Sequence, residues 1–291
     1  GVLAKVVSSK FTASALGCAA VADEFHAGTA GALREATRWR PDIKPDQPSV
    51  RLHAHANGAR VEVSIDLSGD GLHRRGYRPR MGLAPLKENL AAGLIRLTGW
   101  DGSAPLADPL CGSGTLLIEA ACMALGRAPG LEHRFALERW PDFNGQLWSQ
   151  ALEQAGQSER NQLADGRPLA PVVGLELDSE VADQARANAE AAGVSHAITI
   201  QSGDFRSFQP PEGPGVLVCN PPYGERLGHA EALEPLYADL GRMVKERCSG
   251  WSLWLLSGNP ELTGALRMKA SRKLPVSNGG IDCRWLHYAV R

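Results

Sequence analysis

The chain has 291 residues, 43% hydrophobic and 22% charged, with a formal net charge of -1. That is an ordinary globular composition, and it excludes a protein that is basic throughout. No apolar run approaches the roughly 20 residues of a membrane span, and six scattered cysteines without a CxxC pair suit reduced, cytoplasmic thiols rather than a zinc site.

Taken in chain order, Ala13 to Phe25 carries apolar residues at helical spacing. Val50 to His55 and Arg60 to Leu67 read as strands around Asn57-Gly58, a strong hairpin signal. His53 and His55 alternate on the first of these strands without further ligands, so no metal is expected. Residues 1–70 thus form a small α+β piece, and a helix and hairpin without a full sheet lead us to expect more chain upstream of Gly1. Residues 71–83 read as a linker rich in Gly and Arg. Residues 1–80 hold 12 Lys/Arg against 8 Asp/Glu, and Arg74, Arg75, Arg78 and Arg80 fall within seven positions. Such a cluster suits phosphate contacts; the plainer reading is a solvated linker face.

From residue 84 the pattern changes to alternating helices and strands. Ala84–Leu97 reads as a helix with Pro85 in its first turn. Pro105–Asp108 reads as a strand, Thr115–Leu125 as a helix, Val172–Asp178 as a strand and Ser179–Ala192 as a helix. Ala197–Gly203 and Val216–Cys219 follow as strands, then a helix over Leu233–Cys248 and a strand over Trp251–Ser257. Lys269–Pro275 and Cys283–Val290, joined around Asn278-Gly279-Gly280, form an antiparallel hairpin. Such βα units imply a mostly parallel sheet covered on both faces. The expected fold is therefore α/β, a Rossmann-like, seven-stranded sheet ending in a hairpin, over residues 84–291. Within it the rhythm lapses over 126–170, where Phe135, Trp140, Phe143 and Trp148 suggest a helical insertion anchored by aromatics.

Four motifs fall at strand carboxyl ends, where open α/β sheets bind ligands. The first is the turn Asp108-Pro109-Leu110-Cys111-Gly112-Ser113-Gly114-Thr115, whose glycines allow close approach to a ligand at a helix N-terminus. A dinucleotide fingerprint would need glycine where Leu117 stands, so a compact ligand with an ammonium near Asp108 fits better. The second pairs Glu176, placed to accept from ribose hydroxyls, with Asp178, which can do so or cap the following helix. In the third, Asp204 can accept from an adenine amine and Phe205 can cover the ring; a turn Asp and a core Phe are the plain alternative. The fourth is Asn220-Pro221-Pro222-Tyr223 after the apolar run Val216-Leu217-Val218-Cys219. Its prolines stiffen the turn, so the Asn220 oxygen and a carbonyl can point the same way beside an aromatic face. Two acceptors and a ring suit a planar NH2 group. In this order the four motifs point to an S-adenosylmethionine-dependent enzyme that methylates an exocyclic or amide nitrogen.

Residues 60–291 resemble the THUMP-containing guanine-N2 RNA methyltransferases, most closely the bacterial 23S rRNA (RlmL-like) enzymes whose family target is guanine-2445. The match is carried by Asp66-Leu67-Ser68-Gly69, Leu72-His73-Arg74-Arg75-Gly76-Tyr77-Arg78, Ala84-Pro85-Leu86-Lys87-Glu88-Asn89-Leu90, the two motifs at Asp108 and Asn220, and Asn278-Gly279-Gly280-Ile281-Asp282-Cys283. The resemblance implies S-adenosyl-L-methionine as cofactor, 23S rRNA or a ribosomal large-subunit precursor as partner, and a partial THUMP RNA-binding domain over 1–70. It makes Arg74, Arg75, Arg78 and Lys87 the RNA-binding candidates. Many relatives carry Asp where this chain has Glu176. The tetrapeptide also fits DNA adenine-N6 and protein glutamine-N5 methyltransferases, and the core fits a tRNA guanine-N2 enzyme. A non-catalytic RNA-binding assembly module is the remaining alternative.

Overall fold

A computed structural model describes residues 6–13, 50–57, 60–78, 86–140, 142–164, 169–223 and 230–291, with positions 31, 34, 35 and 38. The expected helix over Ala13–Phe25, apart from its first residue, lies outside these residues, as do Gly58, Arg80, Pro85 and the segment 224–229. The chain divides into two units, 1–74 with 132–153, and 75–131 with 154–291.

The first unit holds a three-stranded sheet of β1 (Val6–Ala13), β2 (Val50–Asn57) and β3 (Arg60–Asp66), in that order. β2 and β3 are the expected antiparallel pair. β1 was not expected; it runs parallel to β2, with Phe11 opposite Ala54. β3 stops where Asp66 Oδ1 accepts the Ser68 and Gly69 N–H groups at 2.9 and 3.0 Å. The aromatics of the expected insertion do cluster: the Phe135 and Trp148 rings meet edge to face at 5.3 Å, and Phe143 lies 6.1 Å from Trp148. They secure the start of helix α3 (Gly145–Ala164). Residues 132–153 thus belong with the first unit rather than with the fold into which they are inserted.

The second unit is the expected α/β fold. Its elements are α1 (Glu88–Thr98), β4 (Leu106–Asp108), α2 (Thr115–Ala124), β5 (Val172–Glu176), α4 (Ser179–Ala191), β6 (Ile198–Ser202) and β7 (Val216–Cys219). Then come α5 (Ala230–Arg247), β8 (Ser252–Ser257), a short α6 (Pro260–Ala265), β9 (Arg272–Asn278) and β10 (Ile281–Ala289). The strand order is β6-β5-β4-β7-β8-β10-β9. Pairing is parallel from β6 to β8 and antiparallel for β10 on both sides. The order reverses between β4 and β7, which opens a crevice at their carboxyl ends. Both faces are buried. Tyr237, Leu240 and Val244 of α5 pack with Leu253 and Leu255 in one core, and Leu94, Ile95 and Leu117 pack with Trp254 and Trp285 in the other. That is why the strands read as continuous apolar runs. Among the described residues no helix is long and apolar enough to cross a membrane.

The arginine cluster corrects two expectations. Arg75 and Arg78 are neither a solvated linker face nor exposed RNA contacts. Arg75 Nε lies 2.9 Å from Glu119 of α2, and Arg78 Nε 3.3 Å from Glu88 of α1, with both guanidinium groups largely withdrawn from water. Arg78 also donates to the Leu86 carbonyl at 2.6 Å, and the Tyr77 hydroxyl donates to Glu119 at 3.0 Å. A buried carboxylate on each of two helices draws these cations inward, so Arg75–Arg78 belong to the second unit. Arg74 and Lys87 are exposed, as phosphate contacts require.

Candidate active site

The strand order brings the four motifs side by side, Asp204 after β6, Glu176 ending β5, Asp108 ending β4 and Asn220 after β7. At the glycine turn, Gly112 and Gly114 adopt φ of +53° and +82°. A side chain at Gly114 would also press on Ala185 of α4 at 3.3 Å, whereas space above Gly112 is open. The turn is pinned from three sides. Cys111 N–H donates to the Leu175 carbonyl at 3.0 Å, Asn188 Nδ2 to the Ser113 carbonyl at 3.1 Å, and Gly112 N–H to Glu176 Oε2 at 3.0 Å. Glu176 Oε1 accepts the Asp178 N–H at 3.0 Å, so the ribose candidate is already oriented while each oxygen keeps a further lone pair. Pro109 and Thr115 are buried and Ser113 is half-buried along the same turn.

Asp108 is 2% exposed. Burial pushes its carboxyl up to about 8, against the Leu110 N–H that it accepts at 3.0 Å, and the Glu176 charge adds to the rise. A neutral acid is thereby stored where a cationic ligand would ionise it. Burial likewise pushes the Cys111 thiol up, away from thiolate chemistry.

Two motif residues have structural duties. β5 ends at Glu176, and Asp178 caps α4, accepting from Glu180 N–H at 2.9 Å and Val181 N–H at 3.4 Å. Phe205 is 5% exposed in the core with Leu217 and Tyr237, and the Arg206 guanidinium lies 5.1 Å over its ring. That departs from the expectation that its face covers a ligand: an aromatic next to an apolar strand is drawn into the core. Asp204 accepts Arg206 N–H at 2.9 Å and pairs with its Nη1 at 2.7 Å, contacts that hold its carboxyl below the usual range. An adenine amine would share Asp204 with that arginine.

The Asn220 turn follows β7 directly. Pro221 is buried, Pro222 exposed and Tyr223 half-buried. The Oδ1 atom of Asn220 is buried and has no hydrogen-bond partner among the described residues. An orphan acceptor of this kind costs about 1–3 kcal/mol and is free to take a hydrogen bond from a donor. Sequence reasoning missed the supports of this turn. The Tyr237 hydroxyl donates to the Pro222 carbonyl at 3.2 Å, and Asn278 Nδ2 to the Tyr223 hydroxyl at 2.8 Å. Nothing local to Tyr237 signals its role; Asn278 stands out in the sequence only as part of the hairpin turn and of a block that carries the resemblance.

A separate cavity of about 620 Å³ opens at the carboxyl ends of α1 and α2, lined by Arg75, Arg96, Trp100 and Arg127. It lies at the far end of α2 from the glycine turn, roughly 15 Å along the helix, and contains none of the strand-end groups. Among the described residues no group of three or more His, Cys, Asp or Glu could hold a metal ion.

Comparison with known proteins agrees with this fold. The model of the RMKL-like methyltransferase domain family (UPF0020) matches residues 75–287. A Synechocystis protein described as a candidate RNA methyltransferase is 41% identical over 258 residues, which cover 88% of this chain and 66% of that protein. The chain thus spans just under two thirds of that relative's length. Among solved structures, SMU.472, a candidate methyltransferase complexed with SAH, superposes with a TM-score of 0.85 at 27% identity, covering 100% of this chain and 76% of its own. A Listeria monocytogenes structure described as a predicted N6-adenine-specific DNA methylase gives a TM-score of 0.79 at 32% identity, covering 98% and 73%.

Proposed function

The chain belongs to the RMKL-like methyltransferase domain family, and from that premise we propose that it transfers a methyl group from S-adenosylmethionine to the exocyclic N2 of a guanine in 23S rRNA. The observation that carries this reading is the buried, unpartnered Asn220 Oδ1 beside a stiff Pro-Pro turn and an aromatic ring. The cofactor fits the strand ends. Asp108 would meet its ammonium, Gly112 leaves room above the turn, and Glu176 would accept from its ribose. S-adenosylmethionine supplies an electrophilic methyl on a sulfonium that leaves as a neutral thioether. The SAH-bound relative supports this choice of cofactor.

The guanine amine is a weak nucleophile because its lone pair is delocalised into the ring. Asn220 Oδ1 and the Pro221 carbonyl would accept its two hydrogens and favour a pyramidal nitrogen aimed at the methyl. Tyr237 occupies the neighbouring Pro222 carbonyl, which holds the turn in place. Tyr223 would stack on the flipped base and offset part of the few kcal/mol that flipping costs. Positioning carries most of the rate, and the proton leaves to water once the nitrogen is methylated. Exposed Arg74 and Lys87, with residues 1–70 acting as part of a THUMP domain, would grip the RNA in a cytoplasmic setting.

The test is methyl transfer from labelled cofactor to protein-free 23S rRNA, followed by digestion to nucleosides. Label in N2-methylguanosine supports the reading, and label in another nucleoside overturns the target. The Listeria structure keeps adenine-N6 chemistry in view, so duplex DNA is the parallel substrate, and label in N6-methyladenine there replaces guanine.

Cofactor binding should release a proton. Asp108 is protonated in the free protein below about 8, and a bound ammonium would ionise it. Affinity should therefore rise with pH between pH 6 and 7.5, by up to about tenfold per unit, before the ligand's own amine deprotonates. Calorimetry at pH 7 in buffers of different ionisation enthalpy should detect release of close to one proton. Asp108→Asn should remove that release; a wild-type affinity independent of pH would contradict it.

A further inference from the structure

We propose that Asn278 is a positioning residue of this site, fixing the Tyr223 ring so that the tip of the β9–β10 hairpin forms one wall of the base pocket. The inference rests on the reading that Tyr223 carries the target base. Stacking needs only a ring, so a phenol in place of a phenyl calls for another explanation. Asn278 supplies it, its amide donating to the Tyr223 hydroxyl at 2.8 Å across 55 residues of sequence.

The rest of the ring is fenced in. Gly258, just past β8, lies under its edge: a Cβ there would come within 3.1 Å of Tyr223 Cδ2, 3.3 Å of Cε2 and 3.2 Å of Ile281 Cγ2. Asn278 and Ile281 are register partners at the hairpin turn, so one hairpin contributes both the anchor and a packing wall. At its base, the backbone of the turn is held by Tyr237 through the Pro222 carbonyl. A tyrosine has two side-chain torsions. Packing on Gly258 and Ile281 restricts the ring, and the Asn278 bond fixes its far end. Stacking and in-line attack both depend on that orientation, so the hairpin tip acts on the chemistry without touching the reacting atoms.

The test is a double-mutant cycle of Asn278→Ala and Tyr223→Phe. Each single change should lower kcat about tenfold, the upper end for one neutral hydrogen bond, with cofactor Kd unchanged. The double variant should be no worse than either single, because both remove the same bond. Additive losses, or an Asn278→Ala effect that falls on cofactor binding, would overturn the proposal. Should the wild type methylate no guanine, the functional reading fails separately. The cycle is then read on quenching of 2-aminopurine in a bound single-stranded RNA, where absence of coupling between the two positions overturns the proposal as well.

Discussion

Asn220→Ala should lower kcat for methyl transfer by roughly 100- to 1000-fold, the loss seen when one preorganised hydrogen-bonding group aimed at a reacting centre is removed. Stability should not fall with it. In the substrate-free protein, Asn220 Oδ1 is buried without a partner among the described residues, so the wild type bears its desolvation cost. Removing the amide relieves that cost and leaves a small void whose penalty offsets part of the gain. Thermal melting should show a Tm equal to or above that of wild type. A variant that loses activity only because it melts several degrees lower would contradict the assignment. Asn220→Asp should lie between the two, because a carboxylate oxygen can still accept the amine hydrogen but brings a charge into a buried position.

The largest stability effect should come from Glu119. Its carboxyl is 3% exposed, receives the Tyr77 hydroxyl at 3.0 Å and lies 2.9 Å from Arg75 Nε. Glu119→Ala leaves a buried guanidinium without its counter-charge and a buried phenol without its acceptor, and should cost about 3–5 kcal/mol. Denaturant unfolding would measure it, and a loss below about 1 kcal/mol would show that the network is not structural. The pH dependence has a definite sign. Burial outweighs the pull of Arg75 and pushes the Glu119 carboxyl up to about 7. A carboxyl raised in the folded state binds its proton more tightly there than when unfolded. Its contribution is therefore full below the unfolded value and is lost as pH rises through about 7. Glu119→Gln does not titrate, so its stability should vary less between pH 5 and 8 than that of wild type.

This network also marks a limit of reading residues by their neighbours in sequence. Arg74-Arg75-Gly76-Tyr77-Arg78 has the composition of an exposed basic patch. Its fate depended on Glu88 and Glu119, which stand on two helices of the following domain. A guanidinium beside a buried carboxylate is drawn inward whatever its local sequence suggests. Phe205 is similar: next to an Asp at a strand end it could cover a ligand, yet the core beneath β7 and α5 claimed it. β1 escaped notice because Val6–Ala13 lacks a clean alternation, and its parallel partner lies about forty residues away.

What the sequence by itself determined was the architecture of the second unit and the identity of its strand-end groups. Apolar runs alternating with helical periodicity specify a parallel sheet. The turns holding Asp108, Gly112, Glu176 and Asn220 are local, each defined by the few residues around it. The tertiary structure decided what those groups experience. Only packing could bury Asp108 and leave it protonated, leave Asn220 Oδ1 without a partner, or tie Tyr223 to Asn278. Chemistry is encoded residue by residue, but burial and partnership arise between segments far apart in the chain. A pKa or an orphan acceptor is a property of that enclosure, and it exists only once the sheet has closed.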